Sequence, residues 1–148
     1  MRILGIDYGT RRIGLAVSDA DGRVAFPLSV VAHSVDLVKD IFNIIKEREI
    51  EKIVVGESRD YDMNENAVMK EAREFVKELS VVIEEIPIEF HQEFLTSVQA
   101  SKELHHAETP RGEKVRGETK SDQLDAQAAA IMLQSYLDLE DNKLKNTL

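Results

Sequence analysis

The spacing of apolar residues changes along the chain and divides it into elements. Arg2 to Asp7 is a short apolar run bounded by charge, and Arg12 to Ser18 is a second; both read as strands. Arg23 to Val31 is a third, with Pro27 pointing to an edge strand or a bulge. Between the second and third lies Asp19-Ala20-Asp21-Gly22, whose Asp-Gly pair predicts a hairpin with a primed turn. The chain therefore opens with an antiparallel meander. Val38, Ile41, Phe42 and Ile45 then fall at helical spacing over a charged opposite face. Ile53-Val54-Val55-Gly56 is a buried-type strand. Val68, Ala72, Phe75, Val76 and Leu79 mark a second amphipathic helix, and Ile86 to Phe90 a fifth strand. Thr96-Ser97-Val98-Gln99 has the form of a capping box and predicts the start of a third helix. His106 to Lys120, with Pro110, Gly112 and Gly117, reads as a loop, and Asp122 to Leu139 as a final alanine-rich helix.

This order predicts an α/β fold, a mixed sheet flanked by helices, as one domain over residues 1–140 with a short polar tail at 141–148. Ligands of such sheets sit beyond the carboxyl ends of the strands. Asp7 ends the first strand, Gly56 to Arg59 end the fourth, and Glu93 lies just past the fifth, so three segments are expected at one edge.

Composition narrows the chemistry. The 148 residues, 43% hydrophobic, suffice for a core. With no cysteine, disulfides and thiolate metal sites are excluded. The apolar start at Ile3 is too short for a signal peptide or a membrane span, so a soluble, cytoplasmic protein is expected. A net charge of −9 argues against simple coating of nucleic acid, which relies on neutralising phosphates. It leaves room for an enzyme that bridges its own carboxylates to a phosphate through metal.

Asp7 stands in Gly5-Ile6-Asp7-Tyr8-Gly9-Thr10-Arg11-Arg12-Ile13-Gly14. Gly9 and Gly14 allow a tight turn or the approach of a large group, and Arg11 and Arg12 offer forks for phosphate. The plain alternative is a capped strand end with a hairpin. Glu93 lies between a strand end and a capped helix start, where it would also favour a helix N-terminus without any catalytic role. Asp125 follows Asp122 at the start of the last helix; the structural reading makes Asp122 the N-cap and Asp125 a dipole partner. The alanines at 126, 128, 129 and 130 would let that helix lie close on the sheet. As a set, Asp7, Glu93 and Asp125 suit a hard divalent cation, Mg²⁺ or Mn²⁺, which takes oxygen ligands. Arg111, Lys114, Arg116 and Lys120 form a locally basic loop, either a solvated surface or a phosphate-contacting arm. His105 and His106 read as an exposed helix end. His91 reads as a neighbour of Glu93 or a solvent-facing strand residue.

The run from Asp7 to Ala16 resembles the opening motif of the YqgF/RuvX family. Ile53 to Gly56 resembles its next strand, Glu93 to Ala100 its Glu-Arg-x-[Ser/Thr] segment, and Asp125 to Tyr136 its closing helix. The resemblance implies an RNase H-like domain with strand order 3-2-1-4-5. It also implies Asp7, Glu93 and Asp125 as a catalytic, metal-binding triad. The activity implied is a metal-dependent nuclease for Holliday junctions or for the 5′ end of precursor 16S rRNA. There are departures: Glu57-Ser58 stands where family members have Leu-Pro, and Gln92-Glu93-Phe94 where they often have Asp-Glu-Arg.

Three readings follow. The first is a nuclease for structured nucleic acid, precursor rRNA or branched DNA, with Arg11 or Arg12 on a flanking phosphate and the protein a monomer or homodimer. The second is a nucleotide-binding module related to actin-like ATPases, which share the Asp-x-Gly-Thr loop but use two such domains. The third is a non-catalytic scaffold in ribosome maturation, motivated by Phe94 and Glu57-Ser58.

Overall fold

The computed structural model describes residues 1–57, 67–92 and 120–147. Five strands form one sheet: β1 (Ile3–Tyr8), β2 (Arg12–Ser18), β3 (Ala25–Ala32), β4 (Lys52–Glu57) and β5 (Ile88–Gln92). The order is β3-β2-β1-β4-β5. β1 pairs antiparallel with β2 and parallel with β4, and β5 is parallel to β4. The described helices are α1 (Leu37–Glu47), α2 (Ala67–Val82) and α3 (Lys120–Asn146). The predicted mixed sheet with helices on its faces is what forms.

The alternation of side chains along β1 divides the molecule into layers. Leu4, Ile6 and Tyr8 join Ile41, Ile45, Phe75 and Leu79 in a core beneath α1 and α2. Ile3, Ala16 and Val54 face the other way and pack with Ala129, Met132, Leu133 and Tyr136 of α3. The alanines bring α3 close to the sheet, as expected: Ala126, Ala128 and Ala129 are buried.

Several local expectations are corrected. Of the residues from Asp19 to Gly22, Gly22 alone has a positive φ, 68°, so the turn is not the primed type. Gly22 N–H instead donates to Asp19 O at 3.1 Å, and Asp19 Oδ1 accepts from the amides of Arg23 and Val24. That is a turn closed by a left-handed glycine, and the carboxylate of Asp19 holds it. β3 accordingly begins at Ala25 rather than Arg23. The expected irregularity at Pro27 is present: β3 is an edge strand, and its register with β2 shifts between Leu15/Ala16, opposite Ser29 and Pro27. β5 runs two residues later than predicted, through Gln92. α3 begins at Lys120, which places Asp122 inside the first turn and not at the N-cap. It also continues through Asn146, so the expected tail is helical to that point, with Lys143–Glu140 and Lys145–Asp141 pairs at 3.1 and 2.8 Å. The helix predicted from Thr96 lies outside the described residues.

Candidate active site

The parallel strands β1, β4 and β5 end at the same edge of the sheet, with Glu57 opposite Gln92. Asp7 stands near the end of β1, directly across from Gly14 of β2. Cross-strand partners project to the same face. A Cβ built on Gly14 would meet the backbone oxygen of Asp125 at 2.2 Å, so that face is the one α3 covers. Gly5, two residues before Asp7, points the same way, toward Leu133. Asp7 and Asp125 are therefore brought to one face of the sheet, at its carboxyl edge. The missing side chain of Gly14 is what lets the backbone at Asp125 come so near.

Asp125 is 5% exposed, one of two buried polar or charged residues among the described residues, Ser18 being the other. Arg12, at the start of β2, reaches it: Nε lies 2.9 Å from Oδ2. Both atoms are sealed from solvent, yet they meet as opposite charges without the alignment of a hydrogen bond. The Arg12 guanidinium also lies 3.5 Å from Asp122. The residue expected to hold phosphate thus holds two carboxylates of α3 here. Arg11 is exposed in the β1–β2 turn. That turn is fastened at both sides, because Gly9 N–H donates to Arg12 O at 3.1 Å and His33 Nε2 donates to Gly9 O at 2.7 Å. His33 also packs edge-on against Tyr8. Burial, then Glu71, Glu74 and Glu78, raise the Tyr8 pKa above its ordinary value.

Glu57, one of the departures, pairs with Arg73 of α2 at 3.3 Å, and Arg73 lies over the Phe90 ring. On the α3 face, Lys52 pairs with Glu89 at 2.9 Å, and the Tyr136 hydroxyl bonds to both. Burial opposes the charge on Lys52, but its bonds to Tyr136 and Glu89 outweigh this and raise its pKa. The bonds from Tyr136 and Lys52 lower that of Glu89. His91 lies edge-on to Tyr136 and 3.2 Å from Ser135, and burial lowers its pKa. It is therefore a partly exposed strand residue that contacts α3.

Glu93 follows β5 directly in the chain; it and Arg111, Lys114 and Arg116 lie outside the described residues. Lys120 is the first residue of α3. Among the described residues no three His, Cys, Asp or Glu side chains form a group able to hold a metal. Asp7 and Asp125 nevertheless fit two ligands of a hard cation: both offer carboxylate oxygen, and both belong to the face of the sheet that α3 covers. Sequence reasoning missed two features. Gly14 is a docking point for a helix backbone, and Arg12 is a counter-charge. The only signal for the second was an arginine paired with acids spaced i, i+3 on a helix.

Residues 1–139 match the family described as RuvX, Holliday junction resolvase. A protein of Chloroflexus aggregans named "Putative pre-16S rRNA nuclease" is 35% identical over 95% of this chain and 95% of its own length. One of the same name from Anaeromyxobacter sp. is 38% identical over 93% and 97%. Among solved structures, Thermus thermophilus RuvC superposes with a TM-score of 0.58 at 19% identity, covering 96% and 97% of the two chains. The fowlpox virus Holliday junction resolvase superposes at 0.54 and 12%, covering 93% and 99%. At those identities the structures speak for the RNase H-like fold alone. No helix among the described residues is long and apolar enough to cross a membrane.

Proposed function

This chain belongs to the RuvX family, and on that premise we propose that it is a divalent-metal-dependent nuclease that processes the 5′ end of precursor 16S rRNA, with Asp7, Glu93 and Asp125 as its metal-holding carboxylates. The observation that carries this reading is that Asp7 and Asp125 share one face at the carboxyl edge of the sheet, where Gly14, the cross-strand partner of Asp7, admits the backbone of Asp125 itself. Relatives a third identical along nearly the whole chain favour RNA over junction DNA as substrate.

In this reading Asp7 supplies oxygen from a rigid strand, Asp125 from the first turns of α3, and Glu93 from the segment after β5. A bound Mg²⁺ or Mn²⁺ supplies Lewis acidity and an activated water for phosphodiester hydrolysis. Arg11, exposed beside Asp7, pairs with a flanking phosphate. Lys120, Arg111, Lys114 and Arg116 add sequence-blind backbone contacts that weaken with salt.

The test is incubation with labelled precursor 16S rRNA and with four-way DNA junctions, in Mg²⁺, Mn²⁺ or EDTA. Asp7→Asn and Glu93→Gln variants of unchanged melting temperature run alongside. Metal-dependent cleavage of the RNA that both variants lose is the expected result. Cutting of junctions alone would reassign the substrate. Equal inertness of wild type and variants on both would place the protein with non-catalytic scaffolds.

A further inference from the structure

Arg12 lies where a metal ligand would need its counter-charge. Its Nε sits 2.9 Å from Asp125 Oδ2, both atoms are buried, and the two are not aligned as a hydrogen bond. The same guanidinium stands 3.5 Å from Asp122, with about a quarter of each of those two side chains exposed. A carboxylate this buried is costly without a nearby positive charge. We infer that Arg12 is a placeholder: it neutralises Asp125 until a divalent cation arrives, and is then released toward the substrate phosphate beside Arg11.

Three observations point this way. First, the contact is imperfect. The strongest arginine–carboxylate pairs use the planar fork in two parallel hydrogen bonds to one carboxylate. Arg12 instead divides its charge between Asp125 and Asp122. Second, Arg12 has a short path out. Arg12 begins β2 directly after the exposed Thr10 and Arg11, and its side chain is itself partly exposed, so the head can turn outward without moving the strand. Third, the backbone beneath it is pinned. Gly9 N–H bonds to Arg12 O and His33 bonds to Gly9 O, so the side chain can move while its root stays fixed. One arginine would then make metal binding and phosphate binding favour each other. The cation takes over neutralisation of Asp125, and the freed guanidinium adds a charge-assisted contact to nucleic acid.

The inference rests on the proposed metal site, and the experiment separates the two. The side-chain Nε–Hε resonance of Arg12, assigned by its absence from Arg12→Lys, is followed in the full chain as Mg²⁺ is added. Calorimetry measures Mg²⁺ binding in parallel. In EDTA the resonance is expected apart from those of solvent-exposed arginines. With Mg²⁺ it should move into their range along the same binding curve as the heat. Asp125→Asn should give the exposed position with no metal present. Arg12→Gln is expected to bind Mg²⁺ roughly tenfold more tightly, equivalent to about 1.4 kcal/mol. If calorimetry shows Mg²⁺ binding while the Arg12 resonance stays in place, the placeholder is wrong and the metal site stands. An exposed resonance in EDTA would overturn it equally. If no Mg²⁺ binds, both the placeholder and the metal-dependent reading fall.

Discussion

Substituting Gly14 by alanine would test the central contact of the site. A Cβ there meets Asp125 O at 2.2 Å and Asp125 C at 2.7 Å, whereas real Cβ contacts stay above 3.0 Å. Both opposing atoms are backbone, so no rotamer change relieves the clash. The α3 backbone must retreat by at least 0.8 Å, the difference between 3.0 and 2.2 Å, or the β1–β2 pairing must deform. Overpacking of this kind costs about 1–3 kcal/mol. In a chain of 148 residues each kcal/mol corresponds to about 2–4 °C in melting temperature. A fall of about 2–12 °C is therefore expected by differential scanning calorimetry. Because Asp125 moves with the helix, cleavage should fall by about a hundredfold, the scale set by a misplacement of about 1 Å. Gly5→Ala is the control. Its nearest neighbour is Leu133 Cβ at 3.0 Å, so α3 has to give by only a few tenths of an ångström there, against 0.8 Å at Gly14, and Leu133 lies eight residues along the helix from Asp125. A Gly14→Ala protein that melts and cleaves like wild type would refute the close approach. One that loses stability but keeps its turnover would show that the position of Asp125 does not control the chemistry.

Two further outcomes follow from local structure. Glu49 has a left-handed φ of 55° just after α1, where its N–H reaches Lys46 O and that of Ile50 reaches Ile45 O. Removing the left-handed penalty of about 1–2 kcal/mol outweighs the extra chain entropy of glycine, about 0.5–1 kcal/mol, so Glu49→Gly should stabilise the protein by about 0.5–1 kcal/mol, read as a rise in urea midpoint at unchanged slope. His91 has a pKa below its ordinary 6.5 because burial disfavours its charged form, so the unfolded chain takes up that proton first. Its stability contribution is complete above pH 6.5 and is lost as pH falls toward the folded value; in His91→Gln, that part of the pH dependence of the urea midpoint should disappear.

Much of this fold is written in local pattern. Of the residues at helical spacing, Ile41 and Ile45 are buried in α1 and Ala72, Phe75 and Leu79 in α2, while Leu37 and Met69 join those faces without having stood out in the pattern. The apolar run at Ile53 became a strand buried on both faces, which is why it shows no alternation. What stayed hidden is non-local or depends on geometry that many sequences share. The turn at Asp19 uses an aspartate side chain to hold backbone amides, and the Asp-Gly pair alone does not distinguish that from a primed turn. The end of α3 was misplaced because Glu140 to Asn146 carries neither glycine nor proline, and its i, i+3 and i, i+4 charge pairs extend the helix instead of ending it. The partnership of Arg12 with Asp125 joins residues at opposite ends of the chain and has no local signature. The residue types at the site were legible, but the electrostatic state in which the fold holds them was not.

The alternation along β1 ties the chemistry to the fold. Asp7 faces α3, while its neighbours Ile6 and Tyr8 face the core under α1 and α2. A slip of one residue in the pairing of β1 would turn Asp7 into that core and push Ile6 and Tyr8 onto the opposite face, reversing the burial of every residue in the strand. The protein has no low-energy way to be folded and wrongly registered at this position. Quality control of the site is thereby delegated to the hydrophobic core: a molecule that has closed its sheet has also aimed its carboxylate, and damage to that aim must come from the helix above it or from unfolding.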